Sequence, residues 1–145
     1  MKVNKEKYTN QRLMAIDYGE KRVGLALSDI MHIISSPKDY LERQEKDFWD
    51  KLGNFIESNQ VGLIVIGIPT GSTNTKILDK IEAFKKKLTS ITDKDIFIYD
   101  ENFTSKRASE VMINSGMKKK DRQKKENIDM IAASLILRDF MEEYF

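Results

Sequence analysis

Apolar and polar positions first alternate clearly in the stretch L-M-A-I-D-Y-G-E-K-R-V-G-L-A-L-S-D, Leu13 to Asp29. Read as a strand, it puts Met14, Ile16 and Tyr18 on one face and Leu13, Ala15 and Asp17 on the other. Both faces are apolar as far as Asp17, which predicts a central strand covered on both sides. A short turn at Tyr18–Lys21 leads to a second strand. Val23, Leu25 and Leu27 face one way there, and Gly24, Ala26 and Ser28 face the other, leaving little bulk on that side. Ile30 to Ile34 is expected as a third, edge-like strand, ended by Ser35-Ser36-Pro37.

Helical spacing follows. Phe48, Leu52, Phe55 and Ile56 predict a helix from Lys46 to Ser58, with Trp49 beside the stripe. Gly62 to Ile68 is short, apolar and rich in β-branched residues, as a parallel strand buried on both faces would be. Pro69 stops it. The polar loop Thr70–Thr75 precedes a helix from Lys76 to Leu88, marked by Ile77, Ile81, Phe84 and Leu88. Asp95–Asp100 reads as a strand, with Glu101 just past its end. A helix over Ser105–Asn114, a mobile basic loop over Met117–Lys125 and a last helix over Asn127–Glu142 complete the chain. This order predicts an α/β fold, a mixed sheet flanked by helices.

Composition narrows the chemistry. The 145 residues suit a single domain, 1–145, of ordinary size. No run is long or apolar enough to span a membrane. The polar N-terminus, residues 1–10, lacks a signal peptide's apolar region and is expected to be a loose lead-in. The expected compartment is the cytosol. Cysteine is absent and His32 is the one histidine, which excludes thiol nucleophiles, disulfides, thiolate zinc sites and His-rich metal sites. Carboxylates are therefore the best candidates to carry chemistry. The net charge is only +2, but it is segregated: Thr104–Lys125 balances to +6 and the remainder to −4. Such a distribution steers a polyanion to one side of a molecule.

Three acids stand out. Asp17 and Glu101 each close a predicted strand. On parallel neighbours both would emerge at one sheet end, where α/β proteins place their sites. Asp129 lies in N-I-D-M-I-A-A-S-L-I-L, whose Ala132, Ala133 and Ser134 allow a helix to approach a sheet closely. Carboxylates brought together repel one another and attract a cation. Mg²⁺ or Mn²⁺ suits all-oxygen ligands. A pair of such ions roughly 4 Å apart can activate water in phosphodiester hydrolysis. Each acid also has a plainer role open to it: a turn former, a solvated residue after a strand, an acid in a first helical turn. Gly19, Lys21 and Arg22 of the first turn, with Thr104, Ser105, Lys106, Arg107, Lys118, Lys119, Lys120 and Arg122, are the candidates to touch nucleic acid. The lysines and arginines would grip the backbone without reading sequence. His32 and Trp49 read as packing residues. Thr104 and Ser105 suit helix N-caps, a role compatible with binding phosphate.

The blocks A-I-D-Y-G-E-K-R-V-G-L-A-L-S-D, V-I-G-I-P, D-E-N-F-T-S-K-R-A and I-D-M-I-A-A-S-L-I-L resemble, in order, those of the YqgF (RuvX) family. These RNase H-like proteins are described as Holliday junction resolvases and as nucleases maturing the small-subunit ribosomal RNA precursor. The resemblance runs from about Arg12 to Phe140. It implies a mixed five-stranded sheet whose first three strands are antiparallel. It also implies that the catalytic, metal-binding carboxylates are Asp17, Glu101 and Asp129. Asn102 stands where the family commonly has Arg, and Ser105 where a second Thr is common. The loop after Pro69 is shorter than usual and lacks an acidic residue.

The first expectation is thus a Mg²⁺- or Mn²⁺-dependent nuclease, with two ions assembled with the substrate, acting on the ribosomal RNA precursor. The close alternative is a resolvase cutting four-way DNA, which would need two active sites and hence a homodimer; otherwise a monomer suffices. A different class of reading is a non-catalytic nucleic-acid-binding factor in ribosome assembly or transcription. An actin-like ATPase fits poorly, because such proteins bind nucleotide between two lobes and this chain has room for one.

Overall fold

A computed structural model describes residues 3–68, 75–100 and 125–145. Five strands form one sheet in the order β3-β2-β1-β4-β5. They are β1 (Arg12–Asp17), β2 (Arg22–Ser28), β3 (Ser35–Glu42), β4 (Val61–Ile68) and β5 (Asp95–Asp100). The first three pair antiparallel, whereas β4 runs parallel to β1 and β5 parallel to β4. The described residues also form the helices α1 (Phe48–Ser58), α2 (Thr75–Thr89) and α3 (Lys125–Tyr144). The mixed five-stranded sheet with three antiparallel opening strands is the expected one.

The alternation along β1 and β2 sorts side chains into two cores. Met14, Ile16, Tyr18, Val23, Leu25 and Leu27 pack with Phe48, Leu52, Ile56, Ile81, Phe84 and Leu88 of α1 and α2. Leu13, Ala15 and Ala26 lie on the other side, against Ala133, Ile136, Leu137 and Phe140 of α3. The apolar runs of β1 and β4 are buried nearly end to end because helices cover both faces. Each fully buried Leu or Ile contributes roughly 1.5–3 kcal/mol by leaving water, so both layers are substantial cores.

Two expectations are corrected. Ile30–Ile34 is not a strand: β3 begins at Ser35, where that segment was expected to end. The carboxylate of Asp29 accepts hydrogen bonds from the amides of Ile33 (2.7 Å) and Ile34 (2.9 Å), bending the chain back, and His32 takes a positive φ of 59°. The side chains of Met31 and Ile33 consequently stay about 70 % exposed. Pro37 then sits within β3, which it can because β3 is an edge strand and the ladder is irregular between Leu25 and Ala26, opposite it. The second correction concerns the lead-in. Lys5–Tyr8 form a 3-10 turn whose Tyr8 is buried and donates a hydrogen bond to Asp95 (2.6 Å). An aromatic ring placed beside the second core makes this segment part of the fold. His32 packs edge-on against Phe145 at 5.1 Å, as a packing residue should. The helix expected over Ser105–Asn114 and the basic loop Met117–Lys125 lie outside the described residues, the start of α3 at Lys125 excepted. Among the described residues no helix is long and apolar enough to cross a membrane.

Candidate active site

The site is built on the last residue of β1. Asp17 pairs with Gly24 of β2 on one side and with Gly67 of β4 on the other. A glycine on each neighbouring strand leaves the Asp17 row without side-chain bulk. Helix α3 uses that space. A Cβ on Gly24 would stand 2.1 Å from the carbonyl oxygen of Asp129, and one on Gly67 would stand 2.4 Å from Cδ1 of Ile136. Asp129 and Ile136 are seven residues apart, about 10.5 Å along a helix, comparable to the ~9.6 Å between β2 and β4 across β1. The two glycines thus seat α3 over the sheet, and Asp129 arrives on the face that Asp17 shares with Leu13 and Ala15.

The electrostatics follow from this closeness. Burial, reinforced by the charge of Asp129, pushes the Asp17 carboxyl up from 3.8 to about 8. Asp129 has a cationic partner: Nε of Arg22 donates to its Oδ2 at 3.0 Å, and the same guanidinium lies 3.6 Å from Glu42. Both members of the Arg22–Asp129 pair are mostly buried. Arg22, expected to touch nucleic acid, is thus engaged within the protein. No spacing rule pairs residues 107 positions apart, so nothing in the sequence signalled it. Of the other turn residues, Lys21 is exposed, and the carbonyl of Gly19 accepts a hydrogen bond from Arg43 (3.2 Å).

Asp17 and Asp129, two of the three singled-out acids, therefore come together. Glu101 lies outside the described residues, as do Thr104, Ser105, Lys106, Arg107, Lys118, Lys119, Lys120 and Arg122, and the polar loop as far as Asn74. β1 and β5 are not neighbours, because β4 runs between them. Both nevertheless run parallel to β4 and end at the same sheet edge: Asp17 aligns with Gly67, Gly67 with Tyr99, and Ile68 with Asp100. Among the described residues no three acids or histidines cluster to hold a metal ion. Two carboxyls brought this close, one with its pKa raised, supply oxygen donors of the kind a hard divalent cation takes.

A sequence model of the RuvX family, described as Holliday junction resolvase, matches residues 11–143. A protein of Amoebophilus asiaticus named "Putative pre-16S rRNA nuclease" is 40% identical over 136 residues, covering 92% of this chain and 95% of its own length. Proteins with the same name from Bacteroides fragilis and Rickettsia typhi are 37% and 38% identical, covering 90% and 88% of this chain and 96% and 83% of their own lengths. Among solved structures, the RuvC of T. thermophilus in complex with a Holliday junction substrate aligns with a TM-score of 0.56 at 12% identity, covering 92% of this chain and 95% of its own. The fowlpox virus resolvase in complex with Holliday junction DNA aligns at 0.57 and 15% identity, covering 92% and 98%. At such identities the likeness is one of fold. The match along almost the whole length, on a sheet that presents Asp17 to Asp129, leads to one conclusion: the chain belongs to the RuvX family.

Proposed function

We propose that this chain is a divalent-metal-dependent nuclease that hydrolyses phosphodiester bonds in structured RNA and trims the 5′ end of pre-16S rRNA. The observation that carries the reading is the meeting of Asp17 and Asp129 at the sheet edge, with the Asp17 carboxyl raised to about 8. A divalent cation placed between two carboxyls this close would displace the Asp17 proton and take its place. The relatives' names support ribosomal RNA as the substrate.

Asp17 and Asp129, with Glu101 from the residue after β5, would hold Mg²⁺ or Mn²⁺. When bound, the ions supply charge neutralisation for the phosphate and acidify a water for attack on phosphorus. The protein's own part is positional. The row between Gly24 and Gly67 leaves the half-buried Asp17 carboxylate at the end of a strand that is paired on both sides. Arg22 orients the Asp129 carboxylate through a charge-assisted hydrogen bond. Lys118, Lys119, Lys120 and Arg122 would grip the RNA backbone, and Gly19, Lys21 and the Thr104–Arg107 stretch would border the scissile phosphate.

The test compares wild type with Asp17→Asn on pre-16S RNA and on four-way DNA, each with Mg²⁺, Mn²⁺ or chelator. The expected result is metal-dependent RNA cleavage that falls at least ~100-fold in the variant, with RNA binding kept. If neither polymer is cut in a metal-dependent way, the enzyme reading is lost. Preferential cutting of four-way DNA would establish the second reading, a resolvase acting as a homodimer, which the family's description favours.

A further inference from the structure

On the opposite face of the sheet from Asp129, a cleft of about 510 Å³ opens between α2 and the segment joining β3 to α1. Its walls combine flat rings with cations: Tyr18, Trp49 and Phe84, with Arg43, Lys80 and Lys87. The Arg43 guanidinium lies 5.1 Å from the ring centres of both Tyr18 and Phe84. Its Nη1 donates to the Tyr18 hydroxyl (3.0 Å) and to the Gly19 carbonyl (3.2 Å). Lys87 carries its ammonium 6.0 Å from the centre of the Trp49 ring, and no carboxylate pairs with it among the described residues. Lys80 is paired with Glu20, the one acid in the wall among the described residues. Among those residues three cations thus face one carboxylate beside a half-buried indole.

We infer that this cleft seats an unpaired nucleotide of the substrate strand, its base against the Trp49 and Arg43 planes and its phosphate at Lys87. The inference rests on the nuclease reading for the identity of the strand, but not for the geometry of the cleft. Aromatic and guanidinium planes stack bases of any sequence, and neighbouring ammonium groups hold the backbone. An acidic peptide would satisfy the charges but would leave the flat surfaces without a planar partner. Position argues the same way. Tyr18 follows Asp17 directly, and alternation turns the two side chains to opposite faces of one sheet end. A strand whose phosphate lies at the carboxylates can cross the Tyr18–Lys21 turn and enter the cleft within a few nucleotides. Trp49, expected from the sequence to be a packing residue, does pack against Phe48 and Phe84 and also forms this wall.

Trp49 is the only tryptophan in the chain, so its emission reports the cleft directly. The full chain is titrated in chelator with a single-stranded oligoribonucleotide. A saturable, salt-sensitive quench is expected. Lys87→Glu, with its fold checked by circular dichroism, should weaken binding about tenfold at low salt and reduce the salt slope by about 1. An unchanged titration in Lys87→Glu overturns the inference. So does an equal quench by an abasic oligomer or by polyglutamate, which would make the cleft a general anion surface. Steady emission at saturating RNA from a preparation that cleaves the precursor would sink the cleft and leave the nuclease standing. A quench from a protein that cuts nothing would do the reverse.

Discussion

Asp17 has a carboxyl that folding pushes from 3.8 to about 8. Between those values the folded chain holds a proton that the unfolded chain has released, so this group's contribution to stability falls as pH rises through the window. Asp17→Asn removes that penalty. In chelator, the variant should be more stable than wild type at pH 8 by on the order of 2 kcal/mol, as read by denaturant unfolding, with the gap closing towards pH 4. A constant gap across that range would mean Asp17 ionises normally. Divalent ions should narrow the gap at pH 8 by stabilising wild type alone. Arg22 is the second residue with a testable part. Arg22→Gln should cost about 1–2 kcal/mol in chelator, because Asp129 loses a mostly buried partner. Added Mg²⁺ should restore part of the loss in thermal melts, since a cation can take the guanidinium's place beside the carboxylate. Asp17 and Asp129 were legible in the sequence because an acid interrupting an apolar run is conspicuous. The Arg22 pair was not, because only the packing of α3 on β2 brings it together.

Among the elements, α3 depends on small residues beneath it. Gly24→Ala drives a methyl carbon into the Asp129 carbonyl, a backbone atom with nowhere to go, so α3 must lift. The expected cost is on the order of 1–3 kcal/mol, with a loss of cleavage larger than the loss of stability explains. Melting and single-turnover kinetics on the same variant measure the two; cleavage at the wild-type rate would show that Asp129 tolerates displacement. The small face Gly24–Ala26–Ser28 and the Ala132–Ser134 stretch were both visible as patterns, and strands β1, β2, β4 and β5 fall within a residue or two of expectation. β3 was missed because its cues are weak. Ile30–Ile34 has the composition of a strand, but Asp29 captures the amides of Ile33 and Ile34. The true strand is a solvent-facing edge carrying Pro37, Lys38 and Asp39, which periodicity favours little.

Across the whole molecule, charge is the property that sequence alone predicts to matter. The stretch Thr104–Lys125 carries +6 while the remainder carries −4. Reversing Lys118, Lys119 and Lys120 together should lower RNA affinity by at least ~10-fold at physiological salt and flatten the salt dependence, uniformly across RNA sequences. Electrophoretic mobility shifts over a salt series measure this. An effect confined to one RNA sequence would mean those lysines read bases instead. Long-range assembly also operates at this scale. Strands β1 and β5 deliver their ends to one edge although β4 separates them, because all three run parallel.

The amino-acid order by itself determined which segments become central strands, which faces stay small, which acids end strands, and that carboxylates are the candidates to carry chemistry. These are local properties, written in periodicity and residue type. Only the tertiary structure decided that β4 divides β1 from β5, that Arg22 belongs to Asp129, and that Tyr18, Arg43, Trp49 and Lys87 gather around one cleft. Those outcomes come from side chains far apart in the chain competing for the same space, which no local pattern encodes.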